Sequence, residues 1–221
     1  MKYIINNSKW FYLLSALMMA TAACKQNGNS EKLPILGKRE AVSKIVNGNE
    51  LIDTLYQTIP AFSFLNQDST EINQSDFSNS IYVTDFFFTT CPSICPIMSR
   101  NLLQVLDKYR GNEEVKILSH TINPKYDRPS VLKKYADKLG IEGNQWEFAW
   151  GPQADIYKMA DSYMVFAKED PNAPGGFEHQ GWFILVDKQA RIRGAYDGTD
   201  ADQVSKLLSD MDILLAEYHE Q

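Results

Sequence analysis

Apolar positions along the chain fall into blocks of two kinds, and their order predicts the architecture. Ile81 to Phe88 is apolar apart from Thr84 and Asp85 and rich in β-branched and aromatic residues, the pattern of a strand covered on both faces. Directly after it, Met98, Leu102, Val105, Leu106 and Tyr109 recur at helical spacing, so Thr89 to Ile97 is the turn between a central strand and an amphipathic helix that Gly111-Asn112 closes. Val115 to Leu118 predicts a further short strand, left by the loop Thr121-Ile122-Asn123-Pro124. Pro129 then opens a helix in which Val131, Leu132, Tyr135, Ala136 and Leu139 share a face, and Gly140 stops it.

The flanks continue this rhythm. Pro60 to Leu65 alternates enough for a first strand, with a polar turn at Asn66 to Ser69. Beyond the aromatic segment Trp146 to Trp150, Pro152 begins a helical pattern carrying Ile156, Met159, Ala160 and Tyr163. Met164 to Ala167 is expected as a strand, and Asp170 to Gly176 is a loop rich in Pro and Gly. Trp182 to Val186 and Ile192 to Ala195 form a hairpin through Asp187-Lys188-Gln189. The last helix carries Val204, Leu207, Leu208, Met211, Leu214, Leu215 and Tyr218, with Thr199 expected as its cap. Strands alternating with helices and closed by an antiparallel hairpin predict an α/β fold: a three-layer α/β/α domain of the thioredoxin type with a central mixed sheet. No internal repeat competes with that reading.

Composition adds an address rather than a fold. With 221 residues, 44% of them apolar, the chain can bury one core, and a net charge of -6 without any lysine block gives no reason to expect nucleic acid as partner. At the start, Lys2 and Lys9 precede an apolar stretch from Trp10 to Ala20, too short for a permanent span but suited to a signal-peptide core. Thr21-Ala22-Ala23 then leads into Cys24, which resembles a bacterial lipobox, whose cysteine is acylated. An ordinary secretory signal or an uncleaved anchor also fits the stretch. The expected organisation is a signal peptide at 1–23, a lipidated N-terminus and flexible tether at 24–50, and a globular domain at 51–221. The tether rests on the polar run from Lys25 to Glu50, broken by Gly28, Pro34, Gly37 and Gly48. The domain is thus expected in the cell envelope, facing the periplasm from a lipid anchor.

Export narrows the chemistry. With Cys24 given to the lipid, Cys91 and Cys95 remain, and in an oxidising compartment a lone close pair is either a disulfide or a site kept reduced. Three intervening residues place both sulfurs on one side of a helical turn, open to a shared metal ion or to a Cys91–Cys95 disulfide. Pro96 marks the start of the regular helix, and backbone amides at that entry favour thiolate over thiol. Two thiolates are soft donors that select copper(I) or zinc and leave room for a third ligand. His219 reads as a solvated terminal residue, and His120, at a strand end, as structural more than ligating. His179, just before the strand at Trp182, lies on a loop that packs against the cysteine turn in a thioredoxin-type sheet, which makes it the best third donor. Met98 and Met164 read as packing residues.

The residues Phe86 to Pro96, FFFTTCPSICP, resemble the signature of the Sco/SenC family of copper proteins. Thr121-Ile122-Asn123-Pro124 with Asp127 is similar to a second family segment, and His179 stands eight residues before Asp187 as the family's ligand histidine does before its aspartate. Glu178, Gln180 and Asn123 depart from the commoner residues. The resemblance, from about Pro60 to the last helix, implies copper on Cys91, Cys95 and His179. It implies a role in supplying copper to the binuclear site of cytochrome c oxidase; a non-enzymatic metallochaperone is expected, with the oxidase's copper-bearing subunit or another cuproenzyme as recipient and a thiol reductant as second partner. The alternative is a thiol-disulfide oxidoreductase, in which Cys91 attacks a partner disulfide and Cys95 resolves it. A structural staple is less apt, since a domain with this core hardly needs one.

Overall fold

The apolar block at Ile81 becomes the middle strand of the molecule in the computed structural model, which describes residues 32–219. The expected export signal and Cys24 lie outside the described residues. In chain order the elements are β1 (Arg39–Val46), β2 (Asn49–Tyr56), β3 (Ser63–Leu65), β4 (Glu71–Asn73), β5 (Ile81–Phe87), α1 (Cys95–Lys108), β6 (Val115–Thr121), α2 (Pro129–Leu139), β7 (Trp146–Ala149), α3 (Gln153–Ser162), β8 (Ala167–Glu169), β9 (Phe177–His179), β10 (Trp182–Val186), β11 (Ile192–Asp197) and α4 (Ala201–His219). Five strands form the central sheet in the order β11-β10-β5-β6-β7. β5, β6 and β7 run parallel, while β10 and β11 are antiparallel additions. This is the predicted thioredoxin-like mixed sheet, and every residue of β5 is buried.

Alternation along β5 sends successive side chains to opposite layers. On one face Phe87 meets Tyr135 of α2, whose hydroxyl lies 2.7 Å from Ser99 of α1. α4 joins that layer, with Asn101 of α1 donating to the Gly198 carbonyl and Tyr109 to Asp212. On the other face Tyr82 and Phe86 pack with Tyr163 at the end of α3. Among the described residues no helix is long and apolar enough to cross a membrane.

Several boundaries differ from the pattern-based expectation, each for a local reason. The strand at Val115 runs on to Thr121, because parallel pairing with β5 continues as far as Phe87↔Thr121. His120 is therefore inside a strand rather than at its end. Met164 takes a left-handed turn (φ 60°) instead of starting a strand, and the strand begins at Ala167, paired with β9. The segment holding His179, expected as loop, is thus itself a strand. Asp200, not Thr199, caps α4: its carboxylate accepts from the Asp202 and Gln203 amides, while the Thr199 hydroxyl turns back to Asp197.

The stretch expected as a tether also holds structure. Leu33 and Leu36 pack on the core, and the Leu36 amide donates to the Ile192 carbonyl. β1 and β2 then form a full hairpin through Asn47-Gly48, both residues at positive φ. Asn-Gly is the strongest short hairpin signal, since both central positions of the matching turn need left-handed backbone. Read only as a break, Gly48 concealed it.

One ion cluster ties the N-terminal segment and α4 to the sheet. Arg193, 4% exposed, donates to Asp187, to Glu217 and to the Leu33 and Pro34 carbonyls. Removing the cation takes its hydrogen bonds from two carboxylates and two backbone carbonyls, while Arg191 still pairs with Asp187. Arg193→Met is expected to lower stability by roughly 1–3 kcal/mol in urea unfolding; an unchanged midpoint would contradict this role.

Candidate metal centre

β5 ends at Phe87, and the chain must turn sharply before α1 can pack on the sheet. The turn is held by Asp127, which is fully buried on the loop after β6. Its carboxylate accepts from the Thr89 amide at 3.0 Å, from the Thr89 hydroxyl and from the Thr121 hydroxyl at 2.6 Å. This couples the cysteine turn to the exit of the neighbouring strand. Cys91 follows, its amide donating to the Phe88 carbonyl, and α1 starts at Cys95 with Pro96 at its first positions, as the sequence suggested.

From the other side, β9 presents His179, which pairs with Ala167 across the β8–β9 ladder. Its Nε2 lies 4.0 Å from Cys91 Sγ and 3.7 Å from Cys95 Sγ. All three donor atoms fall within 4.8 Å of one another. Both cysteines are free and buried, and His179 is half-buried. Phe88 meets the imidazole edge-on at 5.7 Å and packs on Phe177 at 5.0 Å, forming an apolar wall. Gly175 is required beside it: its backbone has φ 78°, and a Cβ there would lie 2.7 Å from the Phe88 ring. Glu178 pairs with Lys168 of β8, and Gln180 exchanges hydrogen bonds with Phe166, so these two departures from the resembled motif brace β9.

The other histidines are elsewhere. His120 is fully buried among Phe86, Phe64, Phe62 and Tyr163, and burial pushes its imidazole down to about 3, so it is a neutral core residue. His219 lies against Glu114 at the surface. Met98 is fully buried beneath α1, and Met164 is exposed.

The electrostatics separate the two thiols. The neighbouring Cys95 thiol holds Cys91 as thiolate, down to about 3, against the opposing effect of burial and with help from His179 and the Ser93 and Cys95 amides. The Cys91 thiolate and deeper burial push the Cys95 thiol up. Below them, burial lifts the Asp85 carboxyl to about 7, offset by the Ser119 hydroxyl and by His179. Sequence reasoning missed both Asp85 and the clamp at Asp127. Asp85 stood out only as a charge in an apolar strand, and Asp127 only as part of a motif.

A thioredoxin-like domain whose cysteine turn and a facing histidine converge on one point is a metal-binding module of soft-donor type. The SCO1/SenC family profile matches residues 53–214, and the chain belongs to that family. It is 28% identical over 167 residues to the SCO1 protein homolog of Bacillus subtilis, covering 74% of this chain and 86% of that one. The solved structure of BsSco, a member of the Sco family of cytochrome c oxidase assembly proteins with a disulfide switch, superposes with TM-score 0.63 at 26% identity, covering 71% of this chain and 92% of that one. Copper-bound ScoI of Bradyrhizobium japonicum shares the fold at TM-score 0.58 and 21% identity, covering 69% and 98%.

The charge asymmetry has a direct consequence. With its pKa lowered, Cys91 is thiolate from about pH 3 upward, so its alkylation by iodoacetamide should stay level from neutrality down to about that pH. Cys95, with its pKa raised, should react far more slowly throughout. A Cys91 rate that falls tenfold per unit below about pH 8.5, as for a free thiol, would contradict the arrangement.

Proposed function

We propose that the protein is a membrane-tethered copper chaperone that holds copper(I) on Cys91, Cys95 and His179 and passes it to the binuclear copper site of cytochrome c oxidase. The observation that carries this reading is the convergence of two sulfurs and one imidazole nitrogen within 4.8 Å of one another. Thiolate and imidazole donors favour copper(I) over hard cations. Three donors suit a cargo metal, because an incoming ligand can bind before the old ones leave. Membership of the SCO1/SenC family and likeness to an oxidase assembly protein support the recipient. Acylation of Cys24 would hold the domain at the periplasmic membrane surface, where the oxidase's copper-bearing subunit is met.

A second reading shares the site. The two free sulfurs lie within 4.8 Å of each other, and BsSco carries a disulfide switch. In that reading Cys91 attacks a disulfide of a partner and Cys95 displaces the partner's thiol. The pair leaves oxidised, and a thiol reductant must restore it.

A competitive copper(I) titration of the reduced protein separates the two. One-to-one binding is expected, weakened by more than about tenfold, or over ~1.4 kcal/mol, in Cys91→Ser, Cys95→Ser and His179→Ala alike. Weak wild-type binding, or binding indifferent to His179, would sink the chaperone reading. Binding remote from these residues while the pair still reduced a model disulfide would favour the oxidoreductase.

A further inference from the structure

The β1–β2 hairpin stands apart from everything the metal centre requires. Among the described residues it is a two-stranded sheet of its own, and β1 pairs with β2 alone. Its side chains are exposed along nearly their whole length, with Val42 and Tyr56 half-buried. The apolar residues lie on both faces: Ile45 and Ile52, 82% and 80% exposed, on one, and Val42, Val46, Leu51 and Leu55 on the other. An isolated hairpin is marginal in water, and a free edge eight residues long is a template for another strand.

The charges on β1 say which strand fits. A two-fold axis normal to the sheet preserves faces, so a strand pairing antiparallel with its own copy sets residue i opposite residue j only when i and j share a face, that is, when their sum is even. β1 carries three charges, Arg39, Glu40 and Lys44. The only opposite-charge combination that meets the condition is Glu40 with Lys44. That register is centred on Val42, which then faces its own copy, with Glu40 opposite the second copy's Lys44 on one side and Lys44 opposite its Glu40 on the other. Ala41 falls opposite Ser43. β2 offers no such register, because its charges, Glu50 and Asp53, are both acidic.

We infer that β1 is a homodimer interface, pairing edge to edge with β1 of a second copy to give the continuous antiparallel sheet β2-β1-β1-β2. Lys44 also bonds Asp53 of its own hairpin, so in the paired sheet it sits between two carboxylates. Cross-strand pairs of opposite charge stabilise such a sheet and like charges destabilise it.

The test is sedimentation velocity of the full-length protein in detergent, with micelles in excess over protein. The wild type should sediment as a dimer. Glu40→Lys sets lysine opposite lysine at both positions and should weaken the dimer by at least about tenfold. The double variant Lys44→Glu/Asp53→Lys sets glutamate opposite glutamate between copies while keeping the ion pair inside the hairpin, and should also be monomeric alone. Mixing the two variants restores both cross-strand pairs and should yield a heterodimer. A monomeric wild type, a dimer indifferent to Glu40→Lys, or a mixture that stays monomeric would each overturn the assignment and leave the hairpin to a different partner.

Discussion

Two cysteines separated by three residues can share a third ligand only if the turn carrying them is held still, and Asp127 supplies that constraint. Its carboxylate binds the backbone and hydroxyl of Thr89 on one side and the hydroxyl of Thr121 on the other. The cysteine turn is thereby fixed to the ends of two adjacent parallel strands. A short buried carboxylate with three donors is a stronger brace than a single neutral hydrogen bond. Everything specific to the centre follows from this placement: Cys95 at the first turn of α1, Phe88 as a wall, and room for β9 to bring His179 across.

The electrostatics complement the geometry. Metal ligation needs both thiols deprotonated, so binding must release the proton that Cys95 retains. Cys91 is already poised as thiolate, and His179 bears one nitrogen toward the sulfurs. The other ring nitrogen, Nδ1, is buried without a hydrogen-bond partner, which leaves the ring orientation to packing against Phe88 and to the β8–β9 ladder. The centre is thus positioned by packing on one side and by the braced cysteine turn on the other.

Much of this was legible in the chain. The continuous apolar run of β5, the helical stripe of α1 and the proline at its start placed the cysteine turn correctly, because burial on both faces and helix entry leave strong local signatures. Cys91, Cys95 and His179 converge as expected. What escaped were features fixed by partners distant in sequence. β9 exists only because Ala167 to Glu169 lies beside it, and a three-residue strand has no period of its own. The pairing of Asp127 with Thr89 spans 38 residues. The β1–β2 hairpin was hidden by a composition that reads as linker, although its Asn47-Gly48 turn was on view.

The central claim is that copper sits on two sulfurs and one imidazole nitrogen, and X-ray absorption spectroscopy of the copper(I)-loaded protein tests it most directly. The account predicts a three-coordinate first shell of two sulfur scatterers and one nitrogen, with imidazole outer-shell features that vanish in His179→Ala. A shell of sulfur alone, or one unchanged by that substitution, would contradict it.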